Sequence, residues 1–370
     1  MKRNRLGALV CFWILAAAGC VFVPGNDTKD AGNSGIISIM TWNVQNLFDG
    51  TDNGAEYNEY LSSAGWNEKK YEARILSISA AMESAFSAGE FGSSAPVLIG
   101  IIEVENQQVL EDLAVRLPAK YGYNYVFFGN LPGMSLGVGV ISRLPFQQAR
   151  VHSITVGGET TPRPVAEVEL LTENGNIVFF ICHWKSKLGG DEETELLRRA
   201  SARVINRRTV EIHREYPDKP VIIMGDLNEN HDEFFRSGGK YLSALLPDDP
   251  EAGKMSALQN SGDFILVSGG KPPVIRFFDD DYSSPVFYSP WGNEINDGSY
   301  YYKNEWETID HFLLSAELFN GSGWDYFSCH VLAAPPFTNS SGFPVSFTPR
   351  NGIGLSDHLP LMLYLKSCEK

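Results

Sequence analysis

The chain has 370 residues, of which 43% are hydrophobic, and its formal net charge is −15. That length allows one large domain or two ordinary ones, and the hydrophobic fraction is sufficient for a substantial core. The negative charge excludes a broad basic surface that would bind nucleic acid independently of its sequence, so any polyanionic substrate must be held locally.

The first twenty residues are typical of an export signal and not of a folded element. Three basic residues precede the apolar run 6–18, which is too short to span a bilayer comfortably. The run ends in Ala17-Ala18-Gly19-Cys20, which resembles a bacterial lipoprotein cleavage box. We therefore expect residues 1–20 to be a signal peptide with lipidation of Cys20. An ordinary secretion signal and an uncleaved anchor are the alternatives.

The remaining chain is expected to be a flexible tether over 21–35, rich in Gly, Asn and Asp, followed by one domain over 36–370. The hydrophobic pattern predicts a strand over 36–43 and a helix over 67–88. Further predicted elements, in chain order, are a strand over 97–103, a helix over 106–117, strands over 138–142, 165–171 and 177–183, a charged helix over 191–215, and strands over 221–226, 308–314 and 359–365. The mixed order predicts an α/β domain with paired sheets inside and helices outside.

The segment 229–305 is the least regular part of the chain, and it is rich in aromatic residues among Gly, Pro and Asp. Loops of this length are usually functional or disordered, and the aromatic content argues against disorder. We expect it to pack on the core as a lid, with a substrate-stacking wall as the alternative.

Three cysteines lie beyond the signal segment, namely Cys182, Cys329 and Cys368. None belongs to a CxxC pair, so a zinc site is not indicated. Cys182 lies in a buried-strand pattern, and the sequence leaves open whether Cys329 and Cys368 pair.

Six short apolar segments each lead to polar side chains that can bind a metal ion or a phosphate. In chain order these are Trp42-Asn43, Glu103, Cys182-His183-Trp184-Lys185, Gly225-Asp226-Leu227-Asn228, Ile309-Asp310-His311 and Ser356-Asp357-His358. One carboxylate at a strand end is ordinary, but this repetition predicts one shared pocket. Carboxylates suit a hard cation, His and Asn suit phosphate oxygens, and Asp can act on water. The set favours divalent-metal hydrolysis of a phosphoester.

The ordered set Asn43, Glu103, His183, Asp226-Leu227-Asn228, Asp310 and Ser356-Asp357-His358 resembles the endonuclease/exonuclease/phosphatase (DNase I-like) superfamily, over residues 36 to 366. The resemblance implies a four-layer α/β/β/α sandwich in which two packed mixed sheets are flanked by helices. It implies Mg²⁺ or Mn²⁺ as cofactor, with Ca²⁺ as a further structural candidate, and a phosphodiester substrate such as nucleic acid.

The resemblance also implies a role for each residue. Glu103 would hold the metal, supported by Asn43 and Asp357. Asp226 would orient or deprotonate the attacking water, and Asn228 would donate to the phosphate, since the two alternate along an extended segment. His183 and His358 would contact the scissile phosphate, with Asp310 paired to His358. A Glu partner for His183, present in some relatives, is not identified.

Basic residues near the pocket are the phosphate-binding candidates. Arg163 resembles a phosphate-contacting Arg of these nucleases, while Lys185 and Lys187 follow His183 directly; Asn43 is a further candidate. The stripe Arg199, Arg203 and Arg207 is interpreted as a solvated helix face. His152, His213, His231, His311 and His330 are interpreted as structural.

The chain is similar to secreted bacterial nucleases in the string from His183 to Lys187 and in the stretch 300–311. We therefore expect a monomeric, lipid-anchored endonuclease at the bacterial cell envelope, or a secreted one if Cys20 is not lipidated. A sphingomyelinase-like or other phosphoesterase, and a non-catalytic surface-binding lipoprotein, are the alternatives.

Overall fold

The computed structural model describes residues 21–22, 35–87, 95–259, 262–271, 276–279, 282–295 and 298–368. The predicted signal segment with Cys20 and most of the tether lie outside the described residues. The α-helices of the described chain are α1 (Glu68–Ser87), α2 (Gln107–Arg116), α3 (Asp191–Glu215), α4 (Glu233–Arg236) and α5 (Pro250–Gln259). No helix in this part of the chain is sufficiently long and apolar to cross a membrane.

The strands of the first half are β1 (Val21–Phe22), β2 (Ile36–Leu47), β3 (Leu98–Val104), β4 (Tyr125–Gly129), β5 (Gly137–Ser142), β6 (Phe146–His152), β7 (Thr155–Val156), β8 (Glu159–Thr160), β9 (Val165–Leu170) and β10 (Ile177–His183). Those of the second half are β11 (Val221–Asp226), β12 (Leu245–Pro247), β13 (Ile265–Ser268), β14 (Arg276–Asp279), β15 (Tyr282–Ser284), β16 (Val286–Tyr288), β17 (Tyr300–Tyr302), β18 (Glu305–Glu307), β19 (Asp310–Leu314), β20 (Gly323–Val331) and β21 (Leu361–Cys368).

Two large mixed sheets contain most of these strands. One has seven strands in the order β1-β4-β5-β3-β2-β21-β20, and the other has eight in the order β12-β13-β16-β19-β11-β10-β9-β6. Within each sheet one parallel pair carries predicted site residues: β2 with β3, and β10 with β11. Parallel neighbours end at the same edge of a sheet, so the residues that follow them meet there.

Three hydrophobic layers hold the sheets and helices together. Side chains alternate along a strand, so the two faces of β2 contribute to different layers: Met40 packs with α1 and α2, whereas Ile39 faces the second sheet. A third layer joins α3 to the outer face of the second sheet through residues such as Phe180 and Ile205. Gly100 in β3 allows the sheets to approach closely, because a Cβ there would meet the end of Met224. This is the predicted four-layer α/β/β/α sandwich.

The predicted elements with strong periodicity agree closely with the structure. The helix expected over 191–215 is α3, and the strands expected over 177–183 and 221–226 are β10 and β11. The strand predicted over 36–43 is longer and ends at Leu47. Edge strands such as β6 and β20 were not predicted, since they pair on one side only and lack a continuous apolar run.

The irregular segment 229–305 contributes to both the core and the surface. Phe287, Tyr288 and Trp291 are buried, in agreement with a lid that packs on the core. Tyr300 and Tyr302 instead lie in a separate two-stranded hairpin formed by β17 and β18. Among the described residues Cys182, Cys329 and Cys368 are free thiols.

Candidate active site

Three of the predicted residues lie side by side on adjacent strands of the eight-stranded sheet. β10 and β11 are parallel, and their last paired residues are His183 and Asp226. β19 is antiparallel to β11 and pairs Asp310 with Asp226. Asp310 therefore begins its strand, whereas His183 and Asp226 end theirs, and the antiparallel direction brings all three to one edge.

The seven-stranded sheet brings Asn43 and Glu103 to the same place. Asn43 on β2 is in register with Ile102, the residue before Glu103 on β3. The Asn43 amide Nδ2 donates to Asp226 Oδ2 at 3.0 Å, so a buried hydrogen bond joins the two sheets here. Ser356 Oγ donates to the Asn43 carbonyl at 2.6 Å and ties the segment before β21 to the same point.

Several residues around this edge have left-handed backbone conformations, which are uncommon for residues other than glycine. They are Gln45 and Asn46 (both φ 55°), Glu103 (φ 67°) and Asn228 (φ 51°). The turn at Gln45 and Asn46 places the Asn46 N–H 2.8 Å from Glu103 Oε2, to which it donates. Backbone strain of this kind collects at functional sites, where the surrounding structure has to compensate for it.

Gly225 is required immediately before Asp226. Its φ is +118°, and a Cβ at this position would collide with the backbone carbonyl of Cys182. The close approach of β10 and β11 at this point therefore depends on a glycine. The Gly-Asp-Leu-Asn motif is thus as much a packing requirement as a set of reactive groups.

Asp310 and His358 form a buried hydrogen-bonded pair. His358 Nδ1 lies 2.8 Å from Asp310 Oδ2, and Ser299 Oγ donates to the same oxygen at 2.7 Å. Burial alone would lower the pKa of His358, but the charge and hydrogen bond of Asp310, with help from Asp226 and Asp357, hold that pKa well above its ordinary value. His358 is therefore an imidazolium at neutral pH.

His183 is in the opposite state. Its Nε2 lies 3.5 Å from Glu103 Oε1 and 3.7 Å from Asp226 Oδ2, which is too far for strong hydrogen bonds. Burial, reinforced by the positive charges of Arg163 and His358, lowers the pKa of His183 well below its ordinary value. The site thus contains one neutral and one cationic histidine, a division typical of acid–base chemistry.

Asp226 lies at the centre of the arrangement. Its Oδ1 accepts the Asn228 N–H at 2.9 Å, while its Oδ2 accepts the Asn43 amide. Burial raises the pKa of Asp226 to about 7; the His358 cation opposes this shift, and the carboxylates of Asp310 and Glu103 add to it. A carboxyl group with a pKa near the working pH can both take up and release a proton.

Glu103 has the properties of a ligand for a hard cation. Burial raises its pKa; His358 and Arg163 lower it, and the neighbouring carboxylate of Asp357 raises it again. A divalent ion would stabilise both carboxylates in their ionised form, and Mg²⁺ needs only one or two of them. Glu103 and Asp357 therefore have the chemistry of ligands for such an ion, whereas Asn43 Oδ1, the third predicted ligand atom, already accepts the Gln45 N–H at 3.0 Å.

A second trio is geometrically capable of sharing an ion. One ligand atom each from Asp226, Asp310 and His358 lies within 4.8 Å of the others. However, Asp310 already accepts from His358 and from Ser299, and an imidazolium cannot ligate a metal. We therefore interpret this trio as a proton-handling group and Glu103 as the better centre for a metal.

The predicted phosphate-binding cations differ in their surroundings. Arg163 Nη1 donates to the Trp184 carbonyl, and Lys185 Nζ contacts the carbonyls of Ser186 and Leu188 at 3.2 and 3.1 Å. The described ion pairs include neither of these two cations.

Lys187, by contrast, lies 2.7 Å from Glu233 Oε2 and 3.8 Å from Glu307 Oε2. Its charge is thus neutralised within the fold, so Arg163 and Lys185 are the more available cations. The Asn228 amide, predicted as a phosphate donor, donates to the Trp184 carbonyl at 3.1 Å and would have to exchange that contact.

His311 and two arginines of the stripe have structural contacts, so the prediction of a solvated helix face holds only for Arg207, which is exposed. His311 is buried against the Glu229 carbonyl at 2.8 Å, and burial lowers its pKa to about 4. Arg203 makes a bidentate ion pair with Asp263, and Arg199 lies 3.9 Å from the same carboxylate.

The sequence pattern missed residues that support the site without following an apolar strand. Gln45 Oε1 accepts the N–H groups of Phe347 and Asp357 at 2.7 and 3.1 Å, and so positions the loop that carries Asp357. Ser299 and Tyr300 hold the Asp310–His358 pair. Gln45 lies two residues after Asn43, so its position in the sequence could have indicated it as a site residue. Nothing in the sequence around Ser299 indicates such a role.

Comparison with known proteins identifies the family and the fold. A family model described as Endonuclease/Exonuclease/phosphatase family matches residues 38–261. No curated protein sequence matches the chain. Truncated TDP2 from Caenorhabditis elegans superposes with a TM-score of 0.51 at 12% identity, covering 90% of this chain and 98% of that one.

Two Bacteroides thetaiotaomicron structures are similar to the same degree. An endonuclease/exonuclease/phosphatase family protein has a TM-score of 0.50 at 16% identity, covering 90% of this chain and 95% of its own. A mannosyl-6-phosphatase has a TM-score of 0.50 at 14% identity, covering 89% and 99%. At these identities the likeness shows the fold alone. The family match spans most of the chain, which therefore belongs to the endonuclease/exonuclease/phosphatase family of metal-dependent phosphoesterases.

Proposed function

We propose that the protein is a divalent-metal-dependent phosphodiesterase that acts as an endonuclease on the outside of the bacterial cytoplasmic membrane. The observation that carries this proposal is the arrangement of Asp226 beside the Asp310–His358 pair, with Glu103 on the facing sheet. A base, a cationic donor and a metal ligand thus meet at one edge.

The residues of the chain divide the reaction between them. Asp226, with a pKa near 7, takes the proton of the attacking water. His358, held as a cation by Asp310, binds a phosphate oxygen and stabilises its developing charge. Neutral His183 donates a hydrogen bond to the same phosphate. As the water oxygen bonds to phosphorus, the bond from phosphorus to the leaving oxygen breaks, and that oxygen takes a proton from solvent. A divalent ion held by Glu103 and Asp357 would polarise the phosphoryl oxygen.

Two cations support a nucleic-acid substrate. Arg163 is close enough to Glu103, His183 and Asp226 to influence the pKa of each, so it borders the reacting phosphate. Lys185 follows His183 by two residues. A polynucleotide brings neighbouring phosphates to these cations, whereas a small monoester does not need them.

The lipid anchor is part of the same proposal. It rests on Ala17-Ala18-Gly19-Cys20 after the basic and apolar start. We expect Cys20→Ser to release the protein from membranes without reducing activity in the soluble domain. Fractionation of cells that express each form tests this, and Cys20→Ser protein in the membrane pellet would contradict it.

The activity test compares three substrates with purified protein from residue 21 onward, in Mg²⁺. We expect nicking of supercoiled plasmid, and little hydrolysis of sphingomyelin or mannose 6-phosphate. Asp226→Asn protein is the control for contaminating nucleases. Hydrolysis of either small ester in preference to plasmid would replace the endonuclease proposal with another phosphoesterase of the family.

A further inference from the structure

The hairpin of β17 and β18 places two tyrosine rings on the face that borders the active site. It turns at Lys303 and Asn304, whose φ values of 49° and 69° suit a tight hairpin turn. Tyr301 points to the other side and packs against Phe343 at 4.3 Å between ring centroids. Tyr300 and Tyr302 alternate with Tyr301 and therefore share one face.

These rings continue from the catalytic histidine. Tyr300 stacks on the imidazole of His358 at 4.6 Å with an interplanar angle of 30°, and the backbones of these two residues form a β-bridge. Tyr302 stacks on Tyr300 at 6.0 Å and 22°. The inner ring is half-buried, but 49% of Tyr302 is exposed. The stack that begins at His358 therefore extends to a ring that is accessible to a ligand.

Charge around the hairpin favours a neutral ring over a phosphate at this position. Glu305 and Glu307 are the cross-strand partners of Tyr302 and Tyr300. Lys303 Nζ lies 5.1 Å from the Tyr302 ring centroid, at the tip of the hairpin. The group that binds on Tyr302 should therefore be planar and uncharged. A negatively charged group elsewhere on the same ligand should lie close to Lys303.

We propose that Tyr302 is a stacking subsite for a nucleobase of the strand being cut, and that Tyr300 is a positioning residue that connects this subsite to His358. The inference rests on the proposed nuclease function and specifies its substrate. Stacking of a base on an aromatic side chain is worth about 1–3 kcal/mol, or roughly 5- to 150-fold in affinity.

The experiment uses two single-stranded substrates of equal length and charge. One is a ten-nucleotide oligothymidylate, and the other carries tetrahydrofuran abasic residues in place of all but the terminal nucleotides. We expect the wild-type protein to cleave the base-bearing strand with the lower KM. Tyr302→Ala should raise KM at least 5-fold on that strand and leave KM on the abasic strand unchanged, whereas Tyr302→Phe should retain wild-type values.

Tyr216 provides a matched control. It is also 49% exposed and also lies beside a lysine, with Lys219 Nζ 3.9 Å from its ring centroid. It follows α3 close to the start of β11, at the opposite end of that strand from Asp226. Tyr216→Ala should leave KM unchanged on both substrates.

Variants of Tyr300 distinguish its proposed positioning role from the binding role of Tyr302. Tyr300→Leu should lower kcat on both substrates, because His358 loses the ring that holds its plane, and Tyr300→Phe should restore kcat. Equal KM values of the wild-type protein for the two strands, or an equal effect of Tyr302→Ala on both, would overturn the subsite. Nicking of plasmid without cleavage of the base-bearing strand would overturn the subsite alone, and failure on both strands and on plasmid in Mg²⁺ would overturn the nuclease function as well.

Discussion

Two buried clusters of charged residues meet the segment that follows β11, where Glu229 of one cluster lies three residues after Asp226 of the other. Their charges are neutralised in different ways. In the first, Arg198 is fully buried and makes ion pairs with Glu195 at 2.6 Å and Glu229 at 3.0 Å. Backbone N–H groups of Ala244 and Leu245 satisfy the remaining carboxylate oxygens at 2.6 and 2.8 Å. Each carboxylate oxygen of this cluster thus has a hydrogen-bond partner in the fold, although burial raises the pKa of both Glu195 and Glu229.

The second cluster, around Asp226, contains more negative charge than the fold neutralises. Glu103, Asp226 and Asp310 face one cationic imidazole, that of His358, and burial raises the pKa of both Glu103 and Asp226. Buried carboxylates without sufficient partners are costly. The difference lies in hydrogen bonding: every carboxylate oxygen of the first cluster has a partner in the fold, whereas Glu103 Oε1 in the second lies 3.5 Å from His183 Nε2, too far for a strong hydrogen bond, and is available to an ion or a substrate.

Removal of divalent metal should have the largest effect on activity, because the metal is expected to bind only at the cluster around Glu103 and Asp226. We expect chelation to abolish phosphodiester hydrolysis and added Mg²⁺ or Mn²⁺ to restore it. Metal at about 100 times its Kd should also stabilise the fold by about 2.7 kcal/mol, and Glu103→Gln should remove that gain. Activity and thermal unfolding with and without chelator measure both; full activity in chelator would contradict the comparison.

Disruption of the Arg198 cluster should lower the stability of the fold directly. Arg198→Met leaves Glu195 and Glu229 buried without a cation, so the free energy of unfolding should fall by about 3–5 kcal/mol. Addition of Glu195→Gln and Glu229→Gln should recover part of the loss, since the uncompensated charges are then gone. Denaturant unfolding measures this, and a loss below about 1 kcal/mol would mean that the cluster relaxes or admits water.

Asp226→Asn should reverse that pattern, with a loss of activity at little cost in stability. We expect kcat to fall at least ~10²-fold, because the group that takes the proton of water is absent. Asparagine keeps the volume and can still accept the Asn228 N–H, so the cost in stability is the one hydrogen bond from Asn43, on the order of 1 kcal/mol. Steady-state kinetics beside thermal unfolding test the pair of outcomes; near-normal turnover would remove Asp226 from the mechanism.

The smallest effect concerns pH and the stability of metal-free protein. The folded-state pKa of Asp226 is raised from 3.8 to about 7, so its contribution to stability is fully present below pH 3.8 and is lost as pH rises through about 7. The wild-type protein should therefore lose about 2–3 kcal/mol more than Asp226→Asn between pH 5 and pH 8. Denaturant unfolding at the two pH values measures it, and identical losses would mean that Asp226 is not perturbed.

The sequence by itself determined the fold class and much of the candidate site. Apolar runs of six or seven residues that end in His183 or Asp226 are shorter than a typical helix and therefore favour buried strands with polar ends, which can converge at one sheet edge. The helix over 191–215 followed from its charged, periodic pattern in the same way. These features are local, and local chemistry is readable from neighbouring residues.

Only the tertiary structure decided which groups neutralise one another. Arg198 and Glu229 are 31 residues apart, and nothing near either residue identifies its partner. The same holds for Ser299 on Asp310 and for Tyr300 on His358, which are brought together by a hairpin and by the return of the last strand. Lys187 resembled Lys185 in the sequence, yet Glu233 neutralises only the former. Contacts between distant segments depend on how the two sheets pack, and that packing is a property of the whole chain.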